Sequence, residues 1–273
     1  MSCSRNIPSM NLKKICDSGQ CFRMRKKQET EEEVYQILAA DRWLEVRQEG
    51  ETFWFSCDEE EYDTFWREYF DADRDYRAVI GSIDAGDVYL TQAAAYGEGI
   101  RILRQDLWEM IVTFIISQQN HIRRIRKCIE TVCEAYGSRC TAPDGTIYYA
   151  FPTPEQLGRA PEEELRACGL GYRSRYLAET ARMILEGEVS LETLSALPVS
   201  QAREELLKLC GVGQKVADCI CLFALHDLKA FPVDTHIRQV LEAHYPQGFP
   251  FGKYPETAGI LQQYIFYYDL ECG

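Results

Sequence analysis

The chain runs to 273 residues, room for two modest domains or for one domain with subdomains. Apolar residues make up 46% and aromatic residues 12%, which points to a globular protein with a sizeable core. The formal net charge of −13 argues against a generic nucleic-acid binder, and no apolar run is long enough to span a bilayer.

Met1 to Leu12 is polar, so no secretory signal is read there. A soluble intracellular protein is expected, in the cytoplasm or nucleoid of a bacterium or the nucleus of a eukaryote. The twelve cysteines are scattered and include no Cys-x-x-Cys pair, which speaks against a zinc knuckle or ribbon. Cys128, Cys219 and Cys221 fall inside apolar helical runs and read as small core hydrophobes, kept reduced. Acid concentrates at Glu29, Glu31 to Glu33, Asp58 to Glu61 and Asp71 to Asp75. Base clusters at Arg123, Arg124, Arg126 and Lys127, so a local positive face is compatible with the negative total.

Taken in chain order, residues 1–98 read as mainly strand. Ser18 to Met24 begins as a turn and becomes extended. Tyr35 to Leu38, Trp43 to Arg47 and Thr52 to Ser56 are short aromatic and branched segments separated by turns, an antiparallel meander. Asp58 to Phe70 carries Tyr62, Phe65, Trp66 and Tyr69 at helical spacing, which predicts one helix packed on the sheet.

From residue 99 onward nearly everything reads as helix. Gln105 to Gln118 is apolar; Ile122 to Tyr136 is amphipathic and basic. Thr153 and Pro154 open a short helix as N-cap and first position. Glu162 to Ala167 runs into a glycine turn at Gly169 to Gly171. Arg175 to Glu186, Ala202 to Leu209, Lys215 to Leu225, Thr235 to His244 and Glu256 to Leu270 complete the predicted helices.

One stretch stands out. Leu206 to Cys210 is an apolar helix end that enters Gly211-Val212-Gly213-Gln214, and a second helix begins at Lys215. Gly211 and Gly213 allow positive φ and close backbone approach to a ligand. Exposed N–H groups at the second helix's N-terminus fit a phosphate, which would let an acidic protein hold DNA. A plain helix–helix corner reads equally well from the glycines alone. The helix dipole disfavours a charged lysine in the first turn, so Lys215 reads as a nucleophile for a sugar carbon, a phosphate contact or a surface lysine. Further on, Pro232 forces an extended approach and Asp234 is placed to N-cap Thr235 to His244. Its carboxylate could also stabilise positive charge on a sugar, and both roles can hold at once.

Leu-Cys-Gly-Val-Gly-Gln-Lys-Val-Ala-Asp-Cys-Ile-Cys-Leu followed by Pro-Val-Asp-Thr-His resembles the helix-hairpin-helix, Gly/Pro…Asp signature of DNA glycosylases. Within that superfamily the chain is similar to the 8-oxoguanine DNA glycosylase branch. Ser18-Gly19-Gln20-Cys21-Phe22-Arg23, Gly169-Leu170-Gly171-Tyr172-Arg173 to Tyr176, and Gln262 to Asp269 (Gln-x-x-x-Phe-x-x-Asp) match that branch as well. The resemblance implies an α+β fold: a 1–98 antiparallel sheet domain, like the TATA-binding protein, then a 99–273 helical core of two subdomains with a cleft between them. It implies a bifunctional enzyme that flips 8-oxoguanine out of duplex DNA, excises it and nicks the strand as an AP lyase.

In the family the hairpin lysine attacks the sugar C1′ and forms a Schiff base, a role that falls to Lys215, with Asp234 as transition-state carboxylate and cap. Gly19 would offer its carbonyl to N7–H of the oxidised purine. Gln262 would read the base's Watson–Crick edge, with Phe266 and Cys219 as stacking walls. Arg124 and Arg173 match the readers of the opposite cytosine, Tyr172 the residue wedged into the duplex, and His236 with Asp269 a phosphate-side pair. Gly211, Val212, Gly213 and Gln214 would hold the DNA backbone, with a structural cation as an option at the hairpin. The partner implied is double-stranded DNA with a damaged purine, bound by a monomer; no membrane is involved.

Two positions depart from the pattern. Gln119 stands where the family has asparagine, and Gln118-Gln119 is similar to alkylpurine glycosylases of the same superfamily. Cys210 replaces the usual proline before Gly-Val-Gly. Beyond Cys221 only Cys272 remains, so the four-cysteine iron–sulfur cluster of some relatives cannot form and no cofactor is expected. An alkylpurine glycosylase acting with water and a non-catalytic helix-hairpin-helix DNA-binding protein are the alternatives; Lys215 speaks against the first.

Overall fold

The computed structural model describes residues 2–28 and 33–273; Met1 and, from the acidic run, Glu29, Glu31 and Glu32 lie outside the described residues. Contacts divide the chain into two compact units. One comprises Met1–Gln36, Leu44–Arg104 and His226–Gly273, the other Ile37–Trp43 and Gln105–Leu225.

Five strands form a sheet: β1 (Cys3–Asn6), β2 (Met24–Lys26), β3 (Val34–Ala39), β4 (Arg42–Glu49) and β5 (Thr52–Phe55), in the order β1-β5-β4-β3-β2. Both β1 and β4 pair antiparallel with β5, so Cys3 and Val46 flank Phe55. Alternation sends Leu44, Val46, Phe53 and Phe55 to a fully buried face. On the other face the Arg47 guanidinium lies 4.0 Å over the Trp54 ring. The helical stretch 59–69, which includes a π turn at Tyr62–Trp66, covers the apolar face. Tyr62 and Phe70 sit 4.8 and 5.8 Å from Phe55, centroid to centroid. Aromatic pairs at such separations add about 0.5–1.5 kcal/mol each beyond area burial.

The expected run of strand through residue 98 ends at Phe55. Leu12–Asp17, Tyr76–Gly81 and Val88–Gly97 are helices instead. Their signal is local: Asn11, Asp75 and Asp87 each accept the amide three residues on, satisfying donors that a short helix otherwise leaves open. The last helix, Ala258–Cys272, packs on Val88–Gly97, and Gly97 is required there because a Cβ would fall 2.6 Å from the Tyr264 ring.

In the other unit, Leu107–Ser117 is buried almost all round and packs on Gln214–Phe223, with Phe114 stacked on Phe223 at 5.6 Å. Ile122–Tyr136, Arg173–Leu185, Leu191–Ala196 and Val199–Leu206 build the rest, with a capping box at Thr153 and Gln156 opening Pro154–Gly158. The nearly all-helical expectation omitted two features. Arg139–Thr141 (β6) and Ile147–Tyr149 (β7) form an antiparallel hairpin, and Ser190 caps Leu191–Ala196. All twelve cysteines are free thiols and nine are buried, Cys128, Cys219 and Cys221 among them. No helix among the described residues is long and apolar enough to cross a membrane.

One buried polar knot ties the first unit's loops together. Arg101, almost wholly buried, donates to the carbonyls of Asp71 (2.6 Å) and Pro8 (2.7 Å). The Asp71 carboxylate accepts from Arg74 Nε at 2.7 Å and Tyr76 Oη at 3.0 Å, and His226 Nε2 lies 3.3 Å away. Burial pushes the Asp71 carboxyl up, but His226 and Arg74 outweigh it and hold it below the usual carboxylate range. A depressed carboxyl stabilises the fold above its unfolded pKa of about 3.9, and that contribution fades as pH falls through the lower folded value. Asp71→Asn should therefore cost about 1–3 kcal/mol at pH 7. In thermal melts its deficit against wild type should narrow below about pH 4; a deficit constant down to pH 3 would contradict the assignment.

Candidate active site

The hairpin singled out in the sequence lies in the second unit. Leu209 and Val212 close its turn by a backbone bond of 3.1 Å, and Gly211 sits at φ +81°. A Cβ at Gly211 would lie 2.7 Å from the Tyr176 ring, so glycine is needed for both dihedral and space. Gly213 differs from expectation. Its φ is −95°, an extended N-cap conformation open to any residue, and a Cβ there would meet nothing within 4 Å. The fold itself does not demand glycine at this position. No side chain caps the helix Gln214–Phe223 that follows, whereas Asp106, His121, Ser190 and others cap theirs.

Neighbours that the sequence reading missed hold the turn. Gln118 Nε2 donates to the Gly211 carbonyl at 2.8 Å, and Thr180 Oγ1 to the Cys210 carbonyl at 2.8 Å. Arg203 bridges Asp218 and the Gln214 side chain, each at 2.6 Å. Burial pushes the Cys210 thiol up, with Glu179's field second, so it stays a neutral thiol at pH 7. The Cys210 and Gly211 carbonyls are thus spent inside the protein, while Gly213 and Gln214, which lead the next helix, are exposed and carry no side-chain cap. Lys215, half-buried in the first helical turn, has its Nζ 5.4 Å from the Phe114 ring centroid and makes no ion pair among the described residues. Cys219, one turn further on the same helix, is buried.

Beside the hairpin, Gln119 takes a left-handed conformation at φ +46°. Arg173 explains how that is held. It is buried, and its guanidinium donates to the carbonyls of Gln118 (2.9 Å from Nε) and Gln119 (3.0 Å). Its fork also lies 4.6 Å over the Tyr172 ring, and Tyr172 is 45% exposed. Arg124 donates to the Gly169 carbonyl at 3.2 Å and is otherwise exposed.

The first unit gathers the remaining residues. Gly19 sits at φ +74° in a turn locked on both sides. Gln263 Nε2 donates to the Ser18 carbonyl at 2.5 Å, and Gln20's amide bonds the Arg101 carbonyl and the Leu103 N–H, each at 2.9 Å. The Gln263 bond brings the helix carrying Gln262 and Phe266 to the Gly19 turn. Gln262 donates to the Pro232 carbonyl at 3.1 Å, while its Oε1 is buried and has no partner among the described residues. An orphaned buried acceptor costs about 1–3 kcal/mol unless a ligand supplies a donor. Asp234 Oδ1 accepts from the Ile237 amide at 2.9 Å, the expected cap, and the second oxygen is left over. His236 Nδ1 lies 2.9 Å from Asp269 Oδ2 and its ring meets Phe266 edge-on at 5.9 Å.

These groups can supply an amine nucleophile, a spare carboxylate oxygen, helix-end amides for an anion and amide and carbonyl acceptors for a planar heterocycle. No group of three or more His, Cys, Asp and Glu that could hold a metal occurs among the described residues.

Comparison with known proteins places the chain. Residues 4–111 match the model of the 8-oxoguanine DNA glycosylase N-terminal domain, and residues 112–248 that of the HhH-GPD superfamily of base excision DNA repair proteins. An N-glycosylase/DNA lyase of Saccharomyces cerevisiae is 39% identical over 159 residues, which is 54% of this chain and 42% of the yeast protein. The chain therefore spans less than half of that relative's length. A probable N-glycosylase/DNA lyase of Methanothermobacter thermautotrophicus is 31% identical over 68% of this chain and 69% of its own. Among solved structures, the Clostridium acetobutylicum 8-oxoguanine glycosylase/lyase, bound to double-stranded DNA with cytosine opposite 8-oxoguanine, superposes with a TM-score of 0.89. It is 37% identical, over 99% of this chain and 98% of that one.

The two hairpin glycines should separate in a thermal melt. Gly211→Ala should cost about 2 kcal/mol or more, from left-handed strain and the Tyr176 contact. Gly213→Ala should cost a few tenths, as at other N-caps. Equal losses would refute the assignment of Gly211 to the fold and Gly213 to a ligand.

Proposed function

The chain belongs to the HhH-GPD superfamily of base excision DNA repair proteins, in its 8-oxoguanine DNA glycosylase branch, and on that premise we propose that it excises 8-oxoguanine from duplex DNA and then cleaves the strand. The observation that carries this reading is the uncapped, sterically open Gly213 N-terminus with the unpaired Lys215 one residue inside it. Phosphate on those amides would put a flipped nucleotide's sugar within reach of the amine.

The chemistry follows from the groups present. Lys215 Nζ, as the neutral amine, attacks C1′ of the damaged nucleotide. The C1′–N9 bond breaks, its electron pair leaves with the base, and the base takes up a proton. The attached amine loses a proton. The C1′–O4′ bond then breaks with its electron pair going to O4′, which takes up a proton, and the opened sugar carries the C1′ iminium. Removal of a C2′ proton then expels the 3′ phosphate by β-elimination. The spare Asp234 oxygen stabilises positive charge as the glycosidic bond breaks. Gly19's carbonyl accepts from N7–H, a donor in 8-oxoguanine and a lone pair in guanine, a difference of about 1–3 kcal/mol. Gln262 Oε1 receives the base's Watson–Crick donors, and Phe266 and Cys219 offer stacking surfaces. Arg124 attends the opposite cytosine; Arg173, expected there from the family, is instead spent holding the Gln118 and Gln119 carbonyls. Gln119 fills the emptied stack, and Tyr172 wedges the duplex. His236, oriented by Asp269, joins the Gly211–Gln214 backbone on phosphates. The same reading has a monomer acting on double-stranded DNA inside the cell, with residues 1–98 as its sheet domain and 99–273 as its helical core. A structural cation at the hairpin backbone gains no support from the Cys210 and Gly211 carbonyls, which Thr180 and Gln118 already occupy.

Borohydride reduction should trap a covalent complex of wild type with an 8-oxoguanine duplex, and none with Lys215→Gln; no adduct with wild type would sink the reading. Asp234→Asn keeps the cap acceptor but loses the charge. Its single-turnover excision should fall on the order of 10²-fold at an unchanged melting temperature.

A further inference from the structure

We propose that Arg123 and Lys127 form a second phosphate-binding face, which follows the DNA backbone beyond the lesion; the inference rests on the DNA reading above. They lie four residues apart on Ile122–Tyr136, hence on one face, and both are exposed. With Ile122, Arg126 and Glu130 they line a surface depression of about 500 Å³.

Charge accounting separates them from most of this chain's cations. Arg159, Arg166, Arg182, Arg203 and Lys208, in the same unit, are each tied to a carboxylate within 4.0 Å. Arg173 is spent on carbonyls and Arg124 on one. Arg123 and Lys127 make no ion pair among the described residues. In a chain of net charge −13, two unneutralised cations side by side are an unusual local surplus.

Placement and spacing point to a polyanion. The helix begins directly after the Gln118–Gln119 turn, so the pair continues a surface already assigned to the duplex. Four residues of helix rise about 6 Å. One DNA strand carries a charge every 3.4 Å or so of axis, so the pair spans about two phosphates.

The test compares wild type with Arg123→Gln/Lys127→Gln for binding to a duplex bearing an uncleavable abasic analogue, titrated across salt. Both positions are exposed, and Arg123→Lys/Lys127→Arg serves as the charge-conserving control. The neutral variant should bind about tenfold more weakly at low salt, with a log–log salt slope shallower by about 2. Its single-turnover excision at saturating enzyme should match wild type, and the charge-conserving variant should bind as wild type does. Trimming the duplex on one side of the lesion should bring wild type down to the neutral variant and leave the variant unaffected. Equal affinities and slopes for all three proteins would overturn the proposal and leave the face to an acidic protein partner. A slope difference without any borohydride adduct would keep the phosphate face and overturn the excision reading instead.

Discussion

Gly211 holds its left-handed dihedral with its α-carbon against the Tyr176 ring, and that contact fixes where the Gln214–Phe223 helix starts. The consequences run outward from it. With the turn pressed on Arg173–Leu185, the Cys210 and Gly211 carbonyls meet Thr180 and Gln118. Each of those carbonyls has an internal donor, and the exposed Gly213 and Gln214 open the next helix without a side-chain cap. A surface of amides without side-chain charge attracts an anion by dipole alone. The same geometry sets Lys215 on the first turn, where Phe114 backs it and no carboxylate among the described residues neutralises it.

Gln118 and Arg173 extend the constraint to the neighbouring loop. Gln118 gives its side chain to the hairpin and its carbonyl to Arg173. Gln119 can therefore stay left-handed, a conformation that costs a non-glycine residue about 1 kcal/mol or more, because a buried guanidinium holds its carbonyl. The hairpin, the Gln119 turn and the Gly169–Tyr172 turn thus form one connected polar network, which would lose its shape piecemeal if any donor were removed.

Elements whose stability is written locally were legible in the sequence. Ile122–Tyr136 and Thr235–His244 came out with their observed ends, because an amphipathic period and a clear boundary coincide in each. Thr153 and Asp234 cap as read. Leu12–Asp17 and Tyr76–Gly81 escaped because six residues give too short a window for periodicity, leaving only the cap. The β6–β7 hairpin escaped because neither strand exceeds three residues. Site chemistry divided similarly. Residue types and spacings singled out Lys215 and Asp234, whereas Gln262 and Phe266 came only with the family resemblance. That Arg173 would be buried on carbonyls, or that Gln118 would brace Gly211, is decided by long side chains finding partners far away in sequence, and no local signal carries it.

The negative total charge takes on a different meaning once the cations are located. At least half of the thirty basic side chains in this chain meet a carboxylate within 4.0 Å, and exposed pairs of this kind contribute little to stability, typically under about 1 kcal/mol. Their effect is better understood as silencing: a paired cation cannot recruit a phosphate. Lys215, Arg123 and Lys127 are among those with no ion pair in the described residues, beside amides that need no charge to bind an anion. Elsewhere an acidic surface repels a polyanion. On the proposed excision reading, such a protein gains from this arrangement, because weak, localised attraction permits release, whereas a uniformly basic surface would hold DNA in any orientation. On that same proposal specificity would come from short-range acceptors, the Gln262 oxygen, buried and unpartnered among the described residues, and the Gly19 carbonyl, whose desolvation is repaid only by a base carrying the matching donors.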